Sequence, residues 1–277
     1  MKSMLVSTAV AALVFGAFAA QAAQASTEVE LRHTAARVVV IPENRSDVAL
    51  VVNYGTSKLP KIMIHEEGGK LVADGKLEMH SVNCRDNGVN IAGYGQIAQA
   101  DLPQVILHVP MDAKVSFGGA SYGEVGATKS LEFSEGGCGN WRLGDVAGKG
   151  EINIGGSGTV NAGSVGDAEV NIGGSGDFHA RSVARLEGNI GGHGDIDLDA
   201  INGDSEINIG GSGNVNLNGG LSPKMEINIA GSGHVVFGGE VRDLEVNIVG
   251  SGDVHIKKVT GNISKSVMGS GNIVIGQ

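Results

Sequence analysis

The densest set of hard-cation donors in this chain is Asp177, His179, Asp195, Asp197 and Asp199. Asp195, Asp197 and Asp199 alternate along one short segment, and Asp177 and His179 stand 18 residues before the first two of them. On a strand, alternate residues share a face, so the three carboxylates would point the same way. Clustered oxygens of this kind could hold Ca²⁺. The competing reading, a solvated acidic face that limits aggregation, is the one the sequence favours. No cofactor is therefore expected, with Ca²⁺ as the one cation the pattern admits. A second set is a serine column: Ser157, Ser175, Ser212, Ser232 and Ser251, with His193 in the same repeat position and Ser270 after them. With Asp177, Asp195, Asn214 and Asp253 close behind, these residues would present repeated hydroxyl and carboxylate groups to a ligand. Small polar residues also fit a tight corner whether or not anything binds.

Catalytic arrangements find less support. Glycoside cleavage needs one pair of carboxyls at a defined separation across a cleft. The carboxylates of this chain recur in ladders that single out no pair. The repeat region has few cations, Trp141 stands alone there, and Tyr122 is the nearest polar aromatic. His179, His193, His234 and His255 occupy non-equivalent repeat positions, unlike the converging ligands of a zinc site. No H-E-x-x-H or P-loop spacing appears. The Gly173-Gly174-Ser175-Gly176-Asp177-Phe178 stretch places its acid one position early for a calcium-binding nonapeptide. No catalytic residue is assigned, and a polysaccharide-cleaving enzyme is the third reading.

Positioning these side chains falls to a repeat. From Glu151 onward the chain alternates a short apolar strand, a Gly-x-Gly corner and a second strand, seven times. The corner glycines are Gly156, Gly174, Gly192, Gly211, Gly231, Gly250 and Gly269, a period of 18–20 residues. So short and regular a period marks a solenoid whose rungs stack over a shared core. The 46 glycines lack the Gly-X-Y period of collagen, and their strict spacing excludes a flexible linker. The fold expected is all-β: a single-domain, right-handed parallel β-helix.

Alternation assigns five inward columns. The first runs Ile152, Val170, Gly188, Ile207, Ile227, Val246, and the second Ile154, Ile172, Ile190, Ile209, Ile229, Ile248. Past the corner come Val160 to Ile273 and Ala162 to Ile256, and a fifth column takes in Val165, Val183, Ile201, Leu221, Val241 and Val259. Outward, Glu151, Glu169, Glu187, Glu206, Glu226 and Glu245 form one ladder, and Asn153, Asn171, Asn189, Asn208, Asn228 and Asn247 another. Carboxylates stacked about 4.8 Å apart repel by about 0.9 kcal/mol in water, less than core burial returns. The asparagines can hydrogen-bond from rung to rung.

Weaker copies lie upstream, at Gly137-Cys138-Gly139 and Phe117-Gly118-Gly119. Residues 26–110 read as opening rungs with an irregular insertion around 75–100, and 111–277 as regular repeats with an atypical last rung. Lys265 takes an inward position there, and Ser266 breaks the asparagine ladder. Residues 1–25 read as a cleavable signal peptide: Lys2, an apolar run over 4–20, and Ala23-Gln24-Ala25 before Ser26. No second hydrophobic segment follows, so no membrane span is expected in the mature chain. Cys84 and Cys138, an even count in an exported chain, are expected to pair and to staple the N-terminal region to the first rungs. The net charge is −10, and residues 111–277 carry 11 Lys/Arg against 20 Asp/Glu, which disfavours a nucleic-acid partner.

The Val-rich opening, the Val105-Ile106-Leu107-His108-Val109-Pro110 strand and the serial Ile-Asn-Ile-Gly-Gly-Ser-Gly rungs resemble the head GIN domain family assigned to auto-transporter adhesins. The resemblance runs from about Arg37 to Gln277. It implies a right-handed parallel β-helix in the bacterial envelope, periplasmic or at the cell surface, and brings no catalytic residues. The function expected is that of a non-catalytic, adhesin-like protein whose repetitive polar face meets an envelope or extracellular polysaccharide or a surface protein. A self-assembling structural envelope protein, a homo-oligomer, is the alternative.

Overall fold

The structure is a computed structural model that describes residues 26–78, 82–85 and 87–276. The signal peptide read over 1–25 lies outside them. The repeats wind as a right-handed β-helix of about 9 turns, about 70% strand. Among the described residues no helix is long and apolar enough to cross a membrane.

Each rung pairs in parallel and in register with the next. Glu151–Ile154 lies against Glu169–Ile172, and the same four positions continue through Glu187–Ile190, Glu206–Ile209, Glu226–Ile229 and Glu245–Ile248. The first two inward columns are buried as the alternation requires. Side chains of this size contribute roughly 1.5–3 kcal/mol each when removed from water. On the last described rung Lys265 stacks on Val246 and Ser266 on Asn247.

Three core details differ from the alternation reading. Leu221 leaves the fifth column: it is 60% exposed, and Ser222, 2% exposed, pairs with Val241 in its place. The Ser222 hydroxyl donates to the Lys224 carbonyl at 2.8 Å, which satisfies it inside. A sixth inward column, Ala168, Leu186, Ser205, Met225 and Leu244, fills the rung just before the glutamate ladder. Trp141 does not stand alone. Its ring lies 4.1 Å from that of Phe117 and 5.2 Å from that of Phe133, and all three are buried.

The opening region is only partly built of rungs. Its strands are β1 (Glu28–Glu43), β2 (Ala49–Asn53), β3 (Met63–Glu67), β4 (Lys70–Asp74), β5 (Val82–Arg85), β6 (Gly88–Ile91), β7 (Gly95–Ala98), β8 (Gln104–Pro110) and β9 (Asp112–Val125). β1 pairs in parallel with β9 on one side and with β4 and β8 on the other. The first strand in sequence is therefore the second rung in space. β2 and β3 run antiparallel, β2 on β8 and β3 on β4, and cover the outer edge of that first rung. A covered edge cannot recruit another chain.

The insertion folds as an antiparallel sheet of β5, β6 and β7. Val89 and Ile91 pack with Leu77, Leu102, Ala35, Ala120 and Tyr122 into a second, smaller core outside the solenoid. The Tyr122 hydroxyl donates to the Gly88 carbonyl, and at 3.2 Å to that of Arg85. Cys84 on β5 is disulfide-bonded to Cys138 at a solenoid corner, the staple that the cysteine count predicts. The bridge closes a segment of 54 residues, which by chain entropy is worth about 4 kcal/mol. Reduction is expected to remove that contribution from the inserted sheet first, since the rungs keep their own core. Limited proteolysis of the reduced chain should cut within 75–103 while 111–276 survives; equal protection with and without reductant would refute this.

Candidate functional site

The corner column is assembled by the backbone. The N–H groups of Ser175, His193, Ser212, Ser232 and Ser251 donate to Gly156, Gly174, Gly192, Gly211 and Gly231 one rung below, at 2.9–3.1 Å. Ser157 donates likewise to Gly137. All six side chains are exposed, so equivalent groups line up about one strand spacing apart.

The neighbouring column does structural work. Asp177 Oδ1 accepts the N–H of Asp195 at 3.1 Å, and Asp195 Oδ1 accepts the N–H and the Nδ2 of Asn214 at 2.7 and 3.0 Å. Asn214 accepts from the N–H of His234, and Asp253 from that of Asn272. Each side chain thus satisfies a backbone donor of the next rung, just past a corner where the ladder would otherwise leave it unpaired. The asparagine ladder behaves similarly: each Nδ2 from Asn171 to Asn247 donates to the Oδ1 of the preceding asparagine at 2.9–3.1 Å. Lys149, 2.8 Å from Glu169 and 3.5 Å from Glu151, relieves the glutamate ladder at its start. Its hydrogen bond holds the Glu169 carboxyl below the usual range.

Four of the five candidate metal ligands fall in two columns, Asp177 with Asp195 and His179 with Asp197. His179 Nδ1 lies 3.2 Å from Asp197 Oδ2, and Asp197 Oδ1 accepts from Asn216 at 2.7 Å. Asp199 sits on the bend beyond. Among the described residues no three His, Cys, Asp or Glu side chains converge as a metal site would require. One stretch, Gly119-Ala120-Ser121-Tyr122-Gly123, has the Gly-x-Ser-x-Gly spacing of a nucleophile elbow. Ser121 is fully buried within β9, paired with Ala36, and no strand-to-helix turn exposes it.

A cleft of about 640 Å³ opens where the solenoid wall meets the inserted sheet. Its lining includes Arg37, Glu124, Arg142, Gln99, Gln104 and Asn161. Val39, Glu124, Arg142 and Asn161 share one outward row, and Arg37 lies on the row two residues before it. Two strand spacings and two residues put the Cα atoms of Arg37 and Arg142 about 12 Å apart, within mutual reach of two guanidinium arms. Arg32, Arg45, Arg181, Arg185 and Arg242 are in ion pairs. Arg37 and Arg142 pair with no carboxylate among the described residues, and Arg37 Nε is buried without a hydrogen-bond partner. The sequence holds one trace of this site: Arg142 is a cation at the position that later rungs fill with Asn161, His179, Asp197 and Asn216.

The C-terminal rungs are similar to one family model. Residues 201–276 match the model of the family described as "Putative auto-transporter adhesin, head GIN domain". The match takes in the corners at Gly211, Gly231, Gly250 and Gly269. Among solved structures, the chain resembles the crystal structure of a "putative lipid binding protein" from Parabacteroides distasonis, at 18% identity and a TM-score of 0.48. That similarity covers 92% of this chain and 94% of the other. No curated protein matches the chain.

Proposed function

We propose that this chain is an exported, non-catalytic binding protein of the bacterial envelope, periplasmic or at the cell surface. Its corner column (Ser157, Ser175, His193, Ser212, Ser232, Ser251) would meet an envelope or extracellular polysaccharide or a surface protein. The observation that carries this is the exact-register stacking of equivalent exposed groups along one line, which suits a polymer with a short repeat. The head GIN match over residues 201–276 and the Cys84–Cys138 disulfide support an exported, adhesin-like role. Asp177, Asp195, Asn214 and Asp253 support the column from behind, since their hydrogen bonds fix the rungs that carry it.

Co-sedimentation of the purified chain with bacterial envelopes and insoluble polysaccharides is expected to retain it. Replacing Ser212 and Ser232 together by Leu should abolish retention. Because both sites are exposed, stability should change by no more than about 0.5 kcal/mol each. Retention by no matrix would overturn the reading. Loss of retention with a chelator would assign the Asp177, His179, Asp195, Asp197, Asp199 face a cation; unchanged retention would remove Ca²⁺ from the account.

A second reading, self-assembly through rung ends, is favoured by Ile263 and Val267, which are exposed at 47% and 43% on the last described rung. Lys265 between them opposes it, as an inward-facing charge blunts a sheet edge. A monomer at every concentration in analytical ultracentrifugation would exclude it.

A further inference from the structure

We propose that the cleft between the solenoid wall and the inserted sheet binds an acidic sugar residue, with its carboxylate held by Arg37 and Arg142. This site is separate from the corner column and does not depend on it. Two guanidiniums face one cleft without a carboxylate partner among the described residues, in a chain of net charge −10 whose Arg32, Arg45, Arg181, Arg185 and Arg242 are all paired. Arg37 Nε is buried and has no acceptor within the chain, so this side chain has unused hydrogen-bonding capacity beside the cleft that it lines. The planar guanidinium fork matches a carboxylate in bidentate fashion, which a lysine at either position could not do.

The rest of the lining fits the remainder of a sugar. Glu124 accepts hydrogen bonds from hydroxyls, while Gln99, Gln104 and Asn161 offer both donors and acceptors. The volume, about 640 Å³, lies within the usual range of small-ligand sites, roughly 300–1,000 Å³. Glu124 offsets one of the two arginines, so the cleft carries a single net positive charge inside an acidic molecule. The surrounding acidic rungs weaken the binding of any long polyanion, so the cleft suits one sugar acid residue rather than an extended charged chain. Gln99 reaches the cleft from the short 3-10 turn that follows the inserted sheet.

The test is isothermal titration calorimetry of the full chain against mono- to tetragalacturonic acid, galactose oligomers of equal length, and acetate. The galacturonic acid series is expected to bind, with the neutral series at least about tenfold weaker and acetate weaker still. Arg142→Gln and Arg37→Gln should each lower the affinity at least about tenfold, and Arg181→Gln, on a distant rung, should leave it unchanged. Four results would overturn the proposal: no binding of galacturonic acid oligomers up to about 10 mM, equal binding of the neutral series, acetate binding as tightly as the sugar acid, or an unaltered affinity in Arg142→Gln. None of these bears on retention through Ser212 and Ser232, so the two readings fail independently.

Discussion

Gly211→Ala is expected to destabilise the repeat region by about 3–5 kcal/mol, while Gly210→Ala, one residue earlier in the same corner, changes it by less than about 0.5 kcal/mol. A Cβ on Gly211 would lie 2.1 Å from the Gly192 carbonyl oxygen, a backbone atom of the rung below. Relief would require the rungs to separate, and the same carbonyl accepts the Ser212 N–H at 3.0 Å. The contact repeats up the solenoid: Gly156 over Gly137, Gly174 over Gly156, Gly192 over Gly174 and Gly231 over Gly211, all at 1.8–2.1 Å for an added Cβ. A second such column runs through Gly176, Gly194 and Gly213. A glycine at a corner can be required by positive φ or by close backbone approach. At Gly156, Gly174, Gly192, Gly211 and Gly231 close approach is the cause, because none of these five has positive φ; the left-handed conformation occurs in this column at Gly119, Gly250 and Gly269. Gly210 differs because its Cβ would face outward, no nearer than 3.9 Å to another atom. Later rungs carry Ala230, Val249 and Met268 at that position. Urea unfolding of the two variants side by side decides the matter, and equal midpoints would refute the stacking account.

The second large effect is a pH dependence set by one carboxyl. Glu135 ends strand β10 (Ser130–Glu135) and points inward, in register with Phe117 on one side and Ile154 on the other. It is 1% exposed. Burial pushes its carboxyl up to about 7, against the N–H of Gly137, which donates to Oε1 at 2.9 Å and favours the ionised form. The backbone of Gly158 packs against the other oxygen, and no charged side chain perturbs it. The native chain therefore holds this proton more tightly than the unfolded chain, whose carboxyl titrates near 4.5. Stability from this group is greatest below that value and falls as pH rises through about 7, by about 3 kcal/mol in all. Asp74 works in a separate window. Burial opposes its ionisation, yet hydrogen bonds from Lys76 and His33 hold it ionised well below the usual range. Its contribution is lost only as pH falls below ordinary carboxylate values.

Glu135→Gln keeps an acceptor for Gly137 and removes the proton. The wild-type chain should lose stability between pH 5 and pH 8, and the Gln variant should lose about 2.5 kcal/mol less over that interval, ending the more stable of the two at pH 8. Denaturant unfolding at the two pH values measures this. Parallel pH profiles for the two chains would mean that Glu135 is hydrated or partnered in solution.

Much of this molecule was legible in its sequence, because the information is local and repeated. A period of 18–20 residues fixes which positions stack, and alternation within a strand fixes which of them face inward. Hence the isoleucine columns, the glutamate and asparagine ladders, the exposed corner column and the Cys84–Cys138 pairing follow from the residues alone. The tertiary structure decided what depends on strands far apart in the chain. Nothing local says that β1 lies between β8 and β9, or that β2 and β3 turn back to cover the first rung, since those pairings are chosen by the burial they complete. The exchange of Leu221 for Ser222 comes from a one-residue shift in pairing, which alternation cannot register and which sends a leucine to the opposite face. Glu135 reads as an ordinary strand-end glutamate until its register against Phe117 and Ile154 is known. Arg37 and Arg142 are 105 positions apart in sequence and meet only because three neighbouring strands and the inserted sheet bring them to one cleft.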